Sequence, residues 1–290
     1  MRGWILALLI AAGCISQAQA RIGFAEANGV SLRYELQGGG GSAIVLIHEI
    51  GMTLEGWDEV VPRLRGGHQV LRYDLRGFGL SQKFSAPISL EDEVADLHGL
   101  LAALHIAGKV TLVGGAVGGN IALAYAADYP DQVRGVIVFS PLISAPGAAG
   151  LPVRRMTGPM APSPADIIAK SGMRGYLAIQ AASLYPPFLR TDPARYARFV
   201  GIQMASDPTS RIATVRMAST GNFAEIIPKV RCPALMVATI YFTMSKPTRV
   251  QLLAAALPHG SFLALPTGHL AGFETPDLVA QTINQFVAKD

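Results

Sequence analysis

Few residues in this chain are of a type and setting that could do chemistry. His269 lies in Thr267-Gly268-His269-Leu270 and Glu49 in His48-Glu49-Ile50-Gly51. An imidazole and a carboxylate are the side chains that most readily move protons near neutral pH. Between them in sequence runs Val113-Gly114-Gly115-Ala116-Val117-Gly118-Gly119, whose glycines supply the room that a tight strand-to-helix turn needs. Ala116, at the centre of that run, offers no hydroxyl to attack a carbonyl. Ser140 is another hydroxyl, but nothing around it predicts activation. Cys232 opens the apolar run Cys232-Pro233-Ala234-Leu235-Met236-Val237, which predicts core packing over reactivity. His68, His98 and His105 have no partners at metal-ligand spacing, so no metal site is expected, and no cofactor motif is present. The run Gly38 to Gly41 is followed by neither Lys-Ser/Thr nor a nucleotide-binding helix, and predicts a turn, not a phosphate cradle.

Such residues need a framework to hold them. With 290 residues, 50% of them hydrophobic and only 15% charged, the chain is long and apolar enough for one large core. The net charge of +4 is spread along the sequence, with Arg154-Arg155 the one adjacent basic pair, so no nucleic-acid partner is expected. Short runs at Ala43 to His48, Gln69 to Tyr73, Val110 to Gly114, Val133 to Phe139, Ala234 to Ala238 and Ser261 to Leu265 predict strands. Most are continuously apolar, the pattern of a parallel sheet covered on both faces by helices. A hairpin is expected from Ile22 to Ala25 and Ser31 to Glu35 around Asn28-Gly29. Helical spacing marks Leu90 to Leu104, opened by a capping box of Ser89 and Asp92, then Asn120 to Ala127, Pro247 to Leu257 and Thr275 to Val287.

Two stretches stand outside that rhythm. Residues 1–20 have a basic Arg2, an apolar run from Trp4 to Ala12 and Ala18-Gln19-Ala20, the pattern of a cleaved signal peptide. The run is too short to span a bilayer, so the expectation is an exported protein, periplasmic or secreted, with a lipoprotein anchored through Cys14 as the alternative. Residues 141–225 contain six prolines from Pro141 to Pro164, helical patterns at Ala165 to Ala169 and Pro193 to Met204, and no strand pattern. They predict a helical cap between two core segments, 21–140 and 226–290. Met156, Met160, Tyr176, Tyr185 and Phe188 of the cap, with Phe242, are candidates to line an apolar pocket for a small molecule.

Leu46-Ile47-His48 with Gly51, the segment Tyr73-Asp74-Leu75-Arg76-Gly77-Phe78-Gly79-Leu80-Ser81, the glycine-rich turn around Ala116, and Thr267-Gly268-His269-Leu270 before Glu274-Thr275-Pro276 occur in the order and spacing of the α/β-hydrolases. Over Arg21 to Val287 the chain resembles that superfamily, most closely its 3-oxoadipate enol-lactonase and small-esterase branch. The resemblance implies a mostly parallel eight-stranded sheet flanked by helices, with a cap inserted after strand 6. It also implies that His269 is a triad histidine, that the backbone N–H groups of Ile50 and Val117 form an oxyanion hole, and that Asp74 and Arg76 brace a neighbouring loop.

The same resemblance exposes three departures. Ala116 stands where the family places its nucleophilic serine. Thr239-Ile240-Tyr241-Phe242 lacks the triad aspartate, with Phe242 the best match to its position. Glu49 replaces the glycine of the usual His-Gly pair. Losing a serine nucleophile costs about a millionfold in turnover, so ordinary esterase chemistry is not expected. One expectation is non-covalent general acid/base chemistry on small esters, lactones or activated carbonyl compounds, with Glu49 orienting His269 or shuttling its proton and the backbone hole holding the oxyanion. The other is a catalytically silent protein that binds a small hydrophobic ligand. For Glu49, the competing expectation is an outward salt bridge with a surface arginine.

Overall fold

The computed structural model describes residues 20–64, 67–84, 87–143, 164–184, 192–220, 222–242 and 246–289. Among these, eight strands are present: β1 Arg21–Ala27, β2 Val30–Gln37, β3 Ala43–Ile47, β4 Gln69–Tyr73, β5 Val110–Gly115, β6 Val133–Phe139, β7 Ala234–Thr239 and β8 Gly260–Leu265. They form one sheet in the order β1-β2-β4-β3-β5-β6-β7-β8. β1 and β2 pair antiparallel, as do β2 and β4, and every other neighbouring pair is parallel. Helices α1 (Leu90–Ala103) and α2 (Val117–Asp128) precede the cap region, and α7 (Pro247–Ala256), α8 (Ala271–Glu274) and α9 (Pro276–Val287) follow it.

Alternation along the strands explains why they are apolar throughout. Ala43, Val45 and Ile47 of β3 face one core cluster with Val110 and Leu112 of β5, Val136 and Val138 of β6, and residues of α1, α2 and α7. Ile44 and Leu46 face a second cluster with Val113, Ile137 and Phe139, Trp57, and Val279 and Ile283 of α9. Successive side chains point to opposite faces, and both faces are covered, so every position of β3 and β5 is buried. α1 begins at the expected box: Ser89 Oγ accepts from the Asp92 N–H at 3.1 Å, and Asp92 Oδ2 accepts from the Ser89 N–H at 2.8 Å.

Between β6 and β7 the described residues form helices only: α3 (Pro164–Leu184), kinked at Gly172 (φ 65°), α4 (Pro193–Met204), α5 (Pro208–Thr220) and α6 (Phe223–Ile226). The sequence pattern did not mark α5, and the reason is physical. It buries Ser210, Arg211 and Thr214 along with Met217, so it has no apolar stripe to read. Residues 1–19 and 144–163, which include Cys14, Arg154-Arg155, Met156 and Met160, lie outside the described residues, as do Tyr185 and Phe188. No helix of the described residues is long and apolar enough to cross a membrane.

Candidate active site

The strand-to-helix turn is built tightly. A side chain at Gly114 would overlap the carbonyl of Gly118, and one at Gly118 would overlap the carbonyl oxygens of Ile47 and His48. With those backbones in contact, Ala116 is driven to φ 47° and ψ −110°, a conformation that a Cβ-bearing residue rarely adopts. It is held there by its N–H, which donates to Phe139 O at 2.8 Å, and by its carbonyl, which accepts from the Asn120 N–H at 3.1 Å. That last bond is the first of α2, so the N–H of Val117 at the helix start has no backbone acceptor. The helix points its positive end at the same spot. The strained turn is therefore intact, although its methyl group can do no covalent chemistry.

Beside it, Glu49-Ile50-Gly51-Met52 forms a β-turn closed by Met52 N–H to Glu49 O at 3.0 Å, with Gly51 at φ 83°, as a type II turn requires. His48 fixes the plane of its first peptide. The Leu75 N–H donates to His48 Nε2 at 3.0 Å, so the proton of this neutral ring is on Nδ1, and Nδ1–H donates to Glu49 O at 2.8 Å. Complete burial holds His48 below its ordinary pKa, in keeping with that neutral form. The Glu49 carbonyl thus accepts two hydrogen bonds, and in a planar trans peptide the Ile50 N–H points the opposite way. Ile50 N–H, like that of Val117, has no acceptor among the described residues.

The Glu49 side chain is turned inward, and the outward salt bridge is not formed. A Cβ at Gly115 would come within 2.6 Å of the Glu49 carboxyl carbon, so this carboxyl fills the space that a side chain next to Ala116 would take. Gly115 and Glu49 are complementary: one vacates the room that the other uses. Burial pushes the Glu49 carboxyl up to about 7, and the nearby carboxyl of Glu274 pushes the same way.

His269 is buried on the loop after β8. Its ring packs on Phe242, with centroids 4.2 Å apart and planes tilted 33°. Phe242 therefore touches the imidazole from the position matched to the family's aspartate, as an apolar face in place of a carboxylate. Nδ1 is sealed from solvent with no hydrogen-bond partner. Glu49 makes neither a hydrogen bond nor an ion pair with His269, so it does not orient the ring by direct contact. Burial alone pushes the imidazole down to about 4. What orients His269 is its backbone. Glu274 accepts from the Gly268 N–H at 3.1 Å and the Leu270 N–H at 3.0 Å, bracketing the histidine, while Ser140 Oγ donates to the His269 carbonyl at 3.4 Å. Ser140, which also bonds Thr239 Oγ1, acts on the loop and not on the ring. Sequence reasoning assigned no role to Glu274 or His48. The available signals were a carboxylate five residues past the histidine and an imidazole directly before the turn.

Among the described residues no group of three or more His, Cys, Asp or Glu is placed to hold a metal ion. A family model for the alpha/beta hydrolase fold matches residues 42–241. The chain belongs to that family. Lipase 1 of Psychrobacter immobilis is 27% identical to it over 253 residues, 85% of this chain and 77% of that one. The enol-lactonase of Burkholderia xenovorans LB400 superposes with a TM-score of 0.80 at 23% identity, covering 92% of this chain and 100% of the other. A thermophilic esterase from Thermogutta terrifontis does so with a TM-score of 0.77 at 25% identity, covering 94% and 99%.

In this α/β-hydrolase the cap is fastened to the loops that carry the site. Arg195 and Arg198 of α4 lie 5.7 and 5.6 Å from the Phe273 ring centroid. Arg195 also donates to Phe273 O, and Arg198 pairs with Asp58 at 2.5 Å and Glu59 at 3.5 Å. The fully buried Arg211 donates to Gln203 Oε1 at 2.6 Å, lies over the Tyr176 ring at 5.0 Å and packs on the Gly51 backbone, where a Cβ would come within 2.6 Å of its Cζ. Tyr176 belongs to a cluster inside the cap with Ile167, Met173 and Leu177. Asp74 accepts from the N–H groups of Leu54 at 2.8 Å and Leu80 at 2.9 Å, and Arg76 pairs with Asp96. Both brace loops and neither is a partner of His269.

Proposed function

We propose that this protein acts on small esters, lactones or activated carbonyl compounds without forming an acyl-enzyme. The observation that carries this reading is the elbow. Its strained backbone and two unpaired N–H groups remain, Ala116 removes the nucleophile, and the Glu49 carboxyl occupies the space beside it. Similarity to a lipase, an enol-lactonase and an esterase supports a carbonyl-bearing small molecule as substrate.

For a lactone, the ionised Glu49 carboxylate takes a proton from water as the water oxygen bonds to the carbonyl carbon. The carbonyl oxygen becomes an oxyanion between the N–H groups of Ile50 and Val117. The ring carbon–oxygen bond then breaks, and the leaving alkoxide receives the proton that Glu49 took from the water, which restores the Glu49 carboxylate, while the neutral His269 contributes a hydrogen bond. Donors aimed at an oxyanion are typically worth about 3 to 4 kcal/mol each in the transition state. A base with a pKa of about 7 is matched to neutral pH, since it is substantially ionised and still a competent proton acceptor.

The test is a panel of lactones and short-chain esters, run with the wild type, Glu49→Gln and His269→Gln. The expected result is wild-type turnover whose kcat/KM rises with pH through about 7 and is lost in Glu49→Gln. Absence of wild-type turnover, with a small apolar ligand held equally by all three proteins, would instead establish the silent binding role. We also propose that the protein is exported, on the strength of residues 1–20. Sequencing the mature N-terminus should find Arg21 first, and an unprocessed Met1 would refute cleavage.

A further inference from the structure

His48 and His269 are both buried neutral imidazoles of one site, and they differ in what their ring nitrogens meet. His48 has a partner on each nitrogen, and those partners fix its proton on Nδ1. On His269, Nδ1 is sealed from solvent and has no partner. A proton there would be an orphaned buried donor, a rarer and costlier arrangement than a buried lone pair. Phe242 does not relieve it. At 33° the two rings lie closer to stacked than to edge-on, so an in-plane Nδ1–H is not aimed at the face of Phe242. Free imidazole side chains in any case prefer the proton on Nε2. In a triad, the carboxylate overrides that preference by accepting from Nδ1–H, which leaves Nε2 as the base. Here the carboxylate position is taken by a phenyl ring.

We propose that His269 turns an Nε2–H donor, not a basic lone pair, toward the site, and that it joins the N–H groups of Ile50 and Val117 in holding the oxygen of a carboxylate or carbonyl ligand. This rests on the functional reading above and divides its labour. Glu49 is the group that accepts and returns the proton, and His269 is the one that donates a hydrogen bond to oxygen. A site converging on N–H donors selects ligands by acceptor oxygen, and organic carboxylates, the products of ester or lactone opening, are its natural probes.

The decisive measurement is long-range nitrogen–proton correlation NMR on protein labelled with nitrogen-15 histidine, with His269 assigned by loss of its signals in His269→Gln. Across the neutral pH range we expect a pyrrole-type Nε2 and a pyridine-type Nδ1 for His269, and the opposite pattern for His48. In Phe242→Asp the His269 pattern should invert to that of a triad histidine. A pyridine-type Nε2 in the wild type would overturn the assignment whether or not the protein turns over any substrate. Octanoate titrated into Glu49→Gln, where no carboxylate competes, should shift the His269 Nε2–H signal. A saturating shift elsewhere that leaves this signal unmoved would overturn its role as a ligand donor. Failure of the lactone assay alone would count against Glu49 as base and leave the tautomer standing.

Discussion

The two walls of the site are made of different material. Where β3 and β5 end, the groups turned toward the candidate site are backbone N–H donors, and the turn after β5 keeps a strained backbone although Ala116 offers no hydroxyl. After β7 and β8 the corresponding groups are side chains, and there the ring of Phe242 packs on His269 where the family resemblance implies a carboxylate. Backbone groups are protected by packing, because Gly114 and Gly118 tolerate no side chain and the strands leave Ala116 no other conformation. Side-chain chemistry has no such protection. Glu274 and Ser140 hold the backbone of the His269 loop, while Nδ1 of the ring has no hydrogen-bond partner.

The sharpest way to break this contrast is to rebuild the side-chain wall on the surviving backbone. Ala116→Ser alone should yield only slow hydrolysis of p-nitrophenyl butyrate, since its histidine presents the wrong tautomer. Adding Phe242→Asp should raise the rate by on the order of a thousandfold or more, as expected when an acid restores the base form. Equal rates for the single and double variants would show that the tautomer is not limiting. On the backbone wall, Gly114→Ala should lower the unfolding free energy in urea by about 3 kcal/mol, because the new methyl meets main chain that cannot swing away. An unchanged midpoint would mean that the turn is pliable and that its geometry is not protected.

Two titrations sharpen the comparison with opposite signs. Glu49 has a folded pKa of about 7, above its ordinary 4.5, so the folded state holds its proton longer. Its contribution to stability is full in acid and is lost as pH rises from 4.5 through about 7, by on the order of 3 kcal/mol. His269 has a folded pKa of about 4, below its ordinary 6.5, so its contribution is full above 6.5 and is lost as pH falls through about 4. Glu49→Gln should therefore reduce the loss of stability between pH 4.5 and about 7, the remainder belonging to the buried carboxyls of Glu274 and Glu93, raised to about 7 and about 8, and His269→Gln should reduce the loss as pH falls from 6.5 through about 4. Denaturation midpoints at a series of pH values give the answer, and a slope unchanged in either variant would assign the titration to another group. The smallest effect is expected from Ala116→Gly, which relieves the positive φ and should stabilise the protein by about 1 kcal/mol, visible as a raised Tm. A lowered Tm would mean that the turn stores no strain.

Much of the fold was legible. Strands β4 and β6 fall on the residues expected, and the other central strands differ by one residue at an end, because continuously apolar runs between turn signals have few alternatives at that length. The elbow was legible for a related reason, since so many glycines in seven residues serve a close backbone approach. The cap was less so. α5 hides a polar face against the loops it covers, and α3 continues well beyond the expected Ala165 to Ala169. For the candidate site, sequence reasoning named Glu49, Ala116, Phe242 and His269 and expected Glu49 to orient His269 or shuttle its proton, whereas the Glu49 carboxyl rests on Gly115. Partnership between side chains far apart in sequence depends on angles that spacing does not carry.

The amino-acid sequence by itself determined which atoms the site has: no hydroxyl at 116, no carboxylate at 242, a new one at 49 and glycines wherever chains must touch. Tertiary structure decided what those atoms are able to do, because protonation depends on surroundings. Burial brings a carboxyl to neutrality, an aromatic face denies an imidazole its acceptor, and the ends of two strands turn a pair of backbone amides into the most durable part of the site.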